Sequence, residues 1–158
     1  MNISQKGIDL IKKFEGCKLY AYRDSVGVLT IGIGHTKNVK AGMSITQQQA
    51  ETFLKDDIKP IETLLNGMGI NYTQNQFDAL TSWIFNLGQG NFKSSTMYKY
   101  IVAKKSDIAI TDQMVKWYNA GGKPLLGLKR RRVAEANMFL GRDVYYVDTL
   151  GNIKRSEV

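Results

Sequence analysis

The sequence predicts an α+β protein in which one short antiparallel sheet near the N-terminus is followed by a mainly helical remainder. An amphipathic pattern over residues 4–15 indicates a first helix. Two stretches rich in aromatic and β-branched residues, 18–22 and 28–33, flank a turn and indicate a β-hairpin. Residues 46–140 then carry helical spacings with capping signals. Strands followed by a run of helices are typical of the α+β class.

The composition is that of one folded domain with an excess of positive charge. The 158 residues are 43% hydrophobic, which fits a globular chain and argues against disorder. A single cysteine, Cys17, excludes an intramolecular disulfide. The net charge of +8 favours an anionic partner such as a wall polymer, nucleic acid or a membrane surface. Solubility alone explains such a charge equally well.

Targeting signals are not evident. No run approaches the roughly 18 apolar residues of a membrane span, and the first residues lack the basic and apolar pattern of a signal peptide. We therefore expect synthesis in the cytoplasm without stable membrane insertion. Another route must release the protein if it works outside the cell.

The first helix and the hairpin place two carboxylates at the boundaries of elements. Ser4 is a predicted N-cap and Gly16 a predicted stop, so Glu15 falls at the C-terminal end of the helix. Asp24 opens the tetrad Asp-Ser-Val-Gly, which has the residues of a tight turn.

The second predicted strand has an unusual polar face. Its residues alternate, with Leu29, Ile31 and Ile33 on one face and Thr30, Gly32 and Gly34 on the other. Glycine inside a strand often marks the close approach of a ligand or of another backbone. We therefore expect something other than protein side chains to lie against the glycine face.

The rest of the chain is predicted to be a series of helices. A capping box at Thr46 opens one helix, and Pro60 either kinks it or begins a second. A second box at Thr73 opens the most apolar pattern, which glycines at 88–91 end. Further helices are predicted at 96–103, 108–118 and 130–140, with a turn-rich segment between the last two. Residues 144–147 favour a strand, so the tail is either a hairpin or a frayed extension.

The spacing of Glu15, Asp24 and Thr30 carries a resemblance. Eight and five residues separate the three, and IGIGH follows Thr30 at once. This pattern resembles the catalytic signature of the phage-type lysozymes, the endolysin family. Later segments are similar to the same family: ALTSWIFNLGQG at 79–90, WYN at 117–119 and GLKRRRVAE at 127–135.

The resemblance implies a lysozyme-like, two-lobed single domain over residues 1–158. A small lobe at about 15–60 would carry the short antiparallel sheet. A larger, all-helical lobe at about 61–141 would include the N-terminal helix 4–15, with a connecting helix and a cleft between the lobes. Residues 142–158 would form a C-terminal extension.

Glycoside hydrolysis needs a carboxylic acid on one side of the scissile bond and a group that handles the nucleophile on the other. Beside Phe14 at a helix C-terminus, Glu15 lies where the dipole and an apolar neighbour favour the protonated carboxyl of a general acid. Asp24, in a polar turn beside Arg23, should stay ionised, and Thr30 supplies a hydroxyl that can hold a water. The resemblance implies that Glu15 is the acid, that Asp24 and Thr30 position the water, and that the anomeric centre inverts. Inversion requires carboxyl groups roughly 6.5–9.5 Å apart.

The resemblance also implies substrate contacts. It places Thr36, Phe85, Asn86 and Ser95 where the family contacts saccharide, and it leaves Trp83 to the core. A core position is the alternative explanation for an aromatic residue such as Phe85.

The neighbouring charged residues have simpler expected functions. One of Arg130, Arg131 and Arg132 should approach Glu15, as an arginine of the family does, and the others should be solvated. His35, the one histidine, should be structural at the end of the strand. Because no second histidine and no cysteine pair accompany it, we expect no metal and no cofactor.

The predicted function is that of a peptidoglycan hydrolase. We expect a muramidase, a glycosidase that cleaves the β-1,4 bond between N-acetylmuramic acid and N-acetylglucosamine and lyses the host of a phage or prophage. Its partner would be bacterial peptidoglycan and not nucleic acid. The protein would act as a monomer on the wall, after its release from the cytoplasm.

Two alternatives stay open. A lytic transglycosylase cleaves the same bond with the sugar's own hydroxyl, but it needs no water-positioning pair such as Asp24 and Thr30. The other alternative is an inactive basic module that binds wall polymer or nucleic acid. Against nucleic acid, the basic residues are spread along the chain apart from those at 129–132.

Overall fold

The computed structural model describes residues 1–142. Within them the chain forms seven α-helices and four short strands. In chain order these are α1 (Gln5–Glu15), β1 (Lys18–Arg23), β2 (Leu29–Gly32), α2 (Gln47–Gly67), α3 (Gln74–Leu87), α4 (Gln89–Ser94), α5 (Thr96–Val102), α6 (Asp107–Met114), β3 (Asn119–Ala120), β4 (Lys123–Pro124) and α7 (Leu126–Phe139). The strand predicted at 144–147 and the rest of the extension after Arg142 lie outside the described residues.

The first helix is closed at both ends as the sequence predicts. The hydroxyl of Ser4 accepts a hydrogen bond from the N–H of Gly7 at 3.4 Å. The N–H of Gly16 donates to the carbonyl of Lys12 at 2.8 Å, and its φ of 68° is one that favours glycine. The helix therefore ends at Glu15, just before the hairpin begins.

Strands β1 and β2 form the predicted antiparallel hairpin. Tyr22 lies opposite Thr30, and the register shifts at a bulge between Lys18 and Tyr22. The N–H of Gly27 donates to the carbonyl of Asp24 at 3.0 Å and closes the turn. The hairpin thus places Asp24 at its tip, while the paired residues Tyr22 and Thr30 share one face.

The second strand is shorter than predicted, and the interpretation of Gly32 is wrong. The strand ends at Gly32, where a φ of 63° turns the chain, and the backbones of Ile31 and His35 pair through two hydrogen bonds. A Cβ at Gly32 would lie 3.3 Å from the side chains of Ile45 and Ala50. Glycine at this position therefore allows close packing against protein side chains rather than the approach of a ligand.

Helix α2 connects the hairpin region to the remaining helices. Its capping box forms as predicted, with the Gln49 N–H donating to Oγ1 of Thr46 at 3.1 Å. Pro60 lies inside this continuous helix of 21 residues, so of the two alternatives for Pro60 the structure has the single helix, the connecting helix that the resemblance implies. Ile58 packs with α1 and the turn after β2, while Ile61 belongs to the larger core. The helix therefore bridges two hydrophobic clusters.

Helices α3 and α7 pack together at the centre of the helical region. Phe77, Leu80 and Trp83 on α3 are fully buried. The Trp83 ring meets those of Phe92 and Trp117 edge to face, with centroids 6.2 and 5.3 Å away. The assignment of Trp83 to the core is confirmed.

The predicted end of α3 at Gly88 is confirmed, and α4 begins directly after that residue. Two other predicted helix boundaries are wrong. The helix predicted at 108–118 stops at Met114, and a small hairpin, β3–β4, follows it. Gly121 and Gly122, with φ of 59° and 78°, make the tight turn of that hairpin. Helix α7 begins at Leu126, earlier than predicted, and so carries all of the arginine-rich segment.

Candidate active site

The carboxylate of Glu15, at the end of α1, is held by an arginine of α7. Nη1 of Arg131 donates to Oε2 of Glu15 at 2.7 Å. The Arg131 side chain is 4% exposed and that of Glu15 is 19% exposed, so the ion pair is largely shielded from water. Nη2 of Arg131 also donates to the Ser82 carbonyl at 3.1 Å, which fixes the guanidinium to α3. Arg131 is therefore the arginine that approaches Glu15.

The other oxygen of Glu15 lies against the turn that follows β2. A Cβ at Gly34 would stand 2.8 Å from Oε1 of Glu15 and 3.1 Å from Cε1 of Phe85. Gly34 has a φ of 65°, so both its backbone and its surroundings require glycine. At this position the closely approaching groups are the Glu15 carboxylate and the Phe85 ring.

Asp24 and Thr30 are both oriented by the backbone of the hairpin turn. Oδ1 of Asp24 accepts hydrogen bonds from the N–H groups of Val26 at 3.0 Å and Val28 at 2.9 Å. Thr30 is 4% exposed, and its hydroxyl donates to the Val28 carbonyl at 2.9 Å. Because its proton is used in this bond, Oγ1 of Thr30 keeps its acceptor capacity for another donor.

Tyr22 is a residue of this region that sequence reasoning missed. Partial burial raises the pKa of its phenol, and the negative charges of Glu15 and Asp24 raise it further. The ammonium of Lys18 lies 4.3 Å from the centre of its ring. Both carboxylates therefore act electrostatically on the same phenol. The available signal was the position of Tyr22, two residues before Asp24 in the predicted first strand.

Arg132 is buried, so the expectation that it would be solvated is wrong. Its side chain is 0% exposed, and its Nε lies 2.8 Å from Oε1 of Glu135. Nη2 of Arg132 donates to Oδ1 of Asn86 at 2.8 Å. Burial lowers the pKa of Arg132, the charge of Glu135 opposes this shift, and the charge of Arg131 adds to it. Glu135 was also missed, although helical spacing from both arginines is visible in the sequence.

Two of the expected saccharide residues line one groove beside Glu15. The groove has a volume of about 270 Å³. Its lining includes Gly34, Thr36, Phe85, Asp57, Pro60 and Ile61. Gly34 and Phe85 also flank the Glu15 carboxylate, so the groove adjoins the proposed acid. Asn86 follows Phe85, with its amide oriented by Arg132.

Ser95 is not among the residues lining this groove. Its side chain is 2% exposed. Its hydroxyl accepts from the Tyr98 N–H at 3.0 Å as the N-cap of α5, and it donates to the Phe92 carbonyl at 2.6 Å. The burial of Ser95 and these two hydrogen bonds argue against the expected saccharide contact.

His35 packs against α2. Its Nδ1 lies 2.7 Å from Oδ2 of Asp57, and its ring stacks on Phe53 with centroids 4.4 Å apart. These contacts fit the expected structural function. Among residues 1–142, no group of three or more His, Cys, Asp or Glu side chains is arranged to hold a metal ion.

A hairpin sheet, a bridging helix and a helical region built on α3 and α7, with the shielded Glu15–Arg131 pair beside a groove, define a lysozyme-like α+β protein. The sequence profile of the family described as Phage lysozyme matches residues 12–135. The chain therefore belongs to the phage lysozyme family.

Relatives and solved structures agree with this assignment. An endolysin of Acyrthosiphon pisum secondary endosymbiont phage 1 is 44% identical, over 88% of this chain and 98% of the relative. The solved endolysin from Escherichia coli O157:H7 phage FAHEc1 is 40% identical with a TM-score of 0.78, over 89% of this chain and 94% of that one. The solved muramidase domain of SpmX from Asticaccaulis excentricus is 34% identical with a TM-score of 0.79, over 88% and 97% of the two chains.

The predicted α+β lysozyme-like fold and the family resemblance are thereby confirmed. The assignment as an endolysin, a glycosidase that degrades peptidoglycan for host lysis, is confirmed as well. In the part of the chain that the structure describes, no helix has the length and apolar character to cross a membrane.

Proposed function

We propose that this endolysin is a muramidase that hydrolyses the β-1,4 bond between N-acetylmuramic acid and N-acetylglucosamine with inversion. Glu15 is the general acid, and Asp24 and Thr30 position the attacking water. The observation that carries the proposal is the Glu15 carboxylate, which Arg131 holds at 2.7 Å and which lies against Gly34, a residue that lines the groove. A carboxyl group beside a groove and a second carboxylate on another element are what acid-assisted attack by water requires.

The contacts of Glu15 indicate which oxygen delivers the proton. Oε2 accepts a hydrogen bond from Arg131, whose guanidinium has no acceptor capacity, so a proton on Oε2 would oppose that bond. The proton therefore resides on Oε1, which lies against Gly34 at the lining of the groove. From there it passes to the glycosidic oxygen as the bond to the anomeric carbon breaks.

A water between Asp24 and Thr30 has an acceptor on each side. Oγ1 of Thr30 accepts one of its hydrogens, because the threonine's own proton is donated to Val28. The carboxylate of Asp24 accepts the other hydrogen and takes that proton as the water oxygen bonds to the anomeric carbon. The new bond forms on the face opposite the departing sugar, which inverts the anomeric centre.

The saccharide contacts come from the groove and its neighbour on α3. Thr36 offers a hydroxyl, Phe85 an apolar ring and Asn86 an amide whose carbonyl end is fixed by Arg132, so that its N–H groups can face a sugar. The net charge of +8 attracts anionic wall polymers. The protein acts as a monomer, made in the cytoplasm and released to the wall.

Analysis of the products from purified peptidoglycan tests this proposal. Hydrolysis gives new reducing ends, whereas a lytic transglycosylase gives 1,6-anhydro sugars. In proton NMR of the earliest product, inversion of a β bond gives the α-anomer before mutarotation. Anhydro ends would reject hydrolysis, and the β-anomer appearing first would reject inversion. Failure to release any fragment, together with DNA binding that weakens steeply with salt, would favour the inactive binding module.

A further inference from the structure

Glu135 is a buried carboxylate on α7 that no step of the proposed reaction uses. Its side chain is 0% exposed. Oε2 accepts from the hydroxyl of Ser82 at 2.6 Å and from Nε of Arg131 at 3.3 Å. Oε1 lies 2.8 Å from Nε of Arg132. One carboxylate therefore contacts the Nε atoms of two neighbouring guanidinium groups.

The Nη atoms of the same guanidinium groups donate hydrogen bonds to two residues of the candidate site. Nη1 of Arg131 reaches Glu15 at 2.7 Å. Nη2 of Arg132 reaches Asn86 at 2.8 Å. The arginines are 3% and 0% exposed, so both connections run through the interior. Glu135 thus lies at the centre of a continuous set of contacts from the proposed acid to a proposed saccharide contact.

Stability alone does not explain this cluster. Buried ion pairs often lose more in desolvation than their attraction returns, and well-packed apolar residues commonly replace them without loss of stability. Among residues 1–142, Nε and Nη1 of Arg132 and Oε1 of Glu135 are buried without a hydrogen-bond partner, and Nε and Oε1 meet only as an ion pair 2.8 Å apart, so the cluster is not fully satisfied. What the cluster does provide is a fixed location for each guanidinium.

We propose that Glu135 is a positioning residue, which locks two arginines and so sets where the acid and the amide lie relative to a bound saccharide. It acts on Glu15 through Arg131. It acts on Asn86 through Arg132. The inference rests on the proposed function, because it takes Glu15 as the acid and Asn86 as a saccharide contact.

Two variants separate the two connections. Glu135→Gln keeps the size of the side chain but leaves one acceptor oxygen for two arginines. We expect kcat on purified peptidoglycan to fall about 10- to 100-fold and the apparent KM to rise, since small misplacements of reacting groups have effects of this size. Arg132→Met releases Asn86 but keeps Arg131 between Glu15 and Glu135. We expect it to raise the apparent KM several-fold while kcat stays within about threefold of wild type.

Asp78→Asn is the matched control. Asp78 is a carboxylate of α3 that is equally buried, and it accepts hydrogen bonds from the Ser4 N–H at 2.9 Å and from Gln74 Nε2 at 2.8 Å. The change should lower the midpoint of thermal unfolding and leave kcat and KM unaltered at a temperature where every variant is folded. Loss of a positioning residue changes kcat and KM, whereas loss of a merely structural residue changes only the unfolding midpoint. The two kinetic constants therefore distinguish these functions.

A folded Glu135→Gln protein with wild-type kcat and KM would overturn the proposal. If Glu135→Gln does not fold, Arg132→Met decides, and an unchanged KM overturns it. Glu15→Gln, assayed in parallel, separates this failure from failure of the proposed function. An active Glu15→Gln protein rejects the acid itself, whereas an inactive one beside an unaltered Glu135→Gln protein rejects only the positioning by Glu135.

Discussion

Nη1 of Arg131 lies 2.7 Å from Oε2 of Glu15, although the two residues are 116 positions apart in the sequence. The contact joins the end of the first helix to the last described helix. The placement of the proposed acid therefore depends on the packing of α7 against α3. A change in the helical core near Arg131 should consequently alter activity as well as stability.

Replacing Arg131 by Met should strongly destabilise the protein. The change removes the cation that Glu15 and the fully buried Glu135 share, and breaking a buried pair typically costs about 3–5 kcal/mol. The free energy of unfolding, measured by urea denaturation, should fall by an amount of that order. Lys12→Met is the control, because the Lys12–Glu51 pair is 34% and 32% exposed and should contribute about 0–1 kcal/mol. Equal losses of unfolding free energy in the Arg131→Met and Lys12→Met proteins would contradict the burial of the Arg131 ion pairs.

Gly34→Ala should abolish most of the activity, whereas Gly42→Ala should not. Both glycines have a left-handed φ, of 65° and 81°, so alanine costs roughly 1–2 kcal/mol at either position. Only at Gly34 would the new Cβ meet a carboxylate oxygen, Oε1 of Glu15 at 2.8 Å; at Gly42 nothing lies within 4 Å. We expect about a 10²-fold loss of kcat from displacing Glu15. Similar rates for the two variants in a turbidity assay would show that Gly34 does not fix the acid.

Thr30→Val should reduce kcat about 10²-fold, because it keeps the shape of the side chain and removes the oxygen that accepts from the water. Thr30→Ser keeps that oxygen and should retain most of the activity. Initial rates of release of reducing ends provide the comparison. If valine and serine have the same effect, Thr30 is only a packing residue of β2.

Alkaline pH should destabilise the protein partly through Tyr72. Burial raises the pKa of Tyr72 to about 12, above its ordinary value of 10.0, and the charge of Tyr98 adds to the shift. The folded state thus holds the phenol proton more tightly than the unfolded state. This contribution to stability is fully present below about pH 10 and is lost as the pH rises through about 12.

The wild type should lose free energy of unfolding as the pH rises from about 9 to about 12. Tyr72→Phe should reduce this loss by up to about 2 kcal/mol. Urea denaturation at these pH values measures the effect. Tyr20→Phe serves as the control, since Tyr20 is 75% exposed. If the free energy of unfolding of the Tyr72→Phe protein falls with pH as steeply as that of the wild type, other groups cause the alkaline loss of stability.

Local signals in the sequence predicted the elements that position the carboxylates. The caps at Ser4 and Gly16 and the turn opened by Asp24 depend on backbone geometry and nearby side chains, and they form as expected. Tertiary packing decided the features that were missed. Whether Arg132 is solvated or buried depends on which face of α7 meets α3, and periodicity does not reveal this when charged residues occupy the buried face.

The two glycines after Thr30 illustrate the same limit. Both were expected on one open face, but the chain turns at Gly32, so Gly32 packs against Ala50 while Gly34 packs against Glu15. A short turn of positive φ has no pattern that distinguishes it from an extended strand with glycines. Sequence alone therefore places the acid on its helix but does not show what surrounds it.

The most direct test of the account is the release of reducing ends from purified peptidoglycan by Glu15→Gln. Glutamine keeps an acceptor for Arg131 but has no acidic proton, so we expect turnover to fall by roughly 10²-fold or more. The circular dichroism spectrum should stay that of the wild type. A folded Glu15→Gln protein that cleaves peptidoglycan at nearly the wild-type rate would contradict Glu15 as the acid.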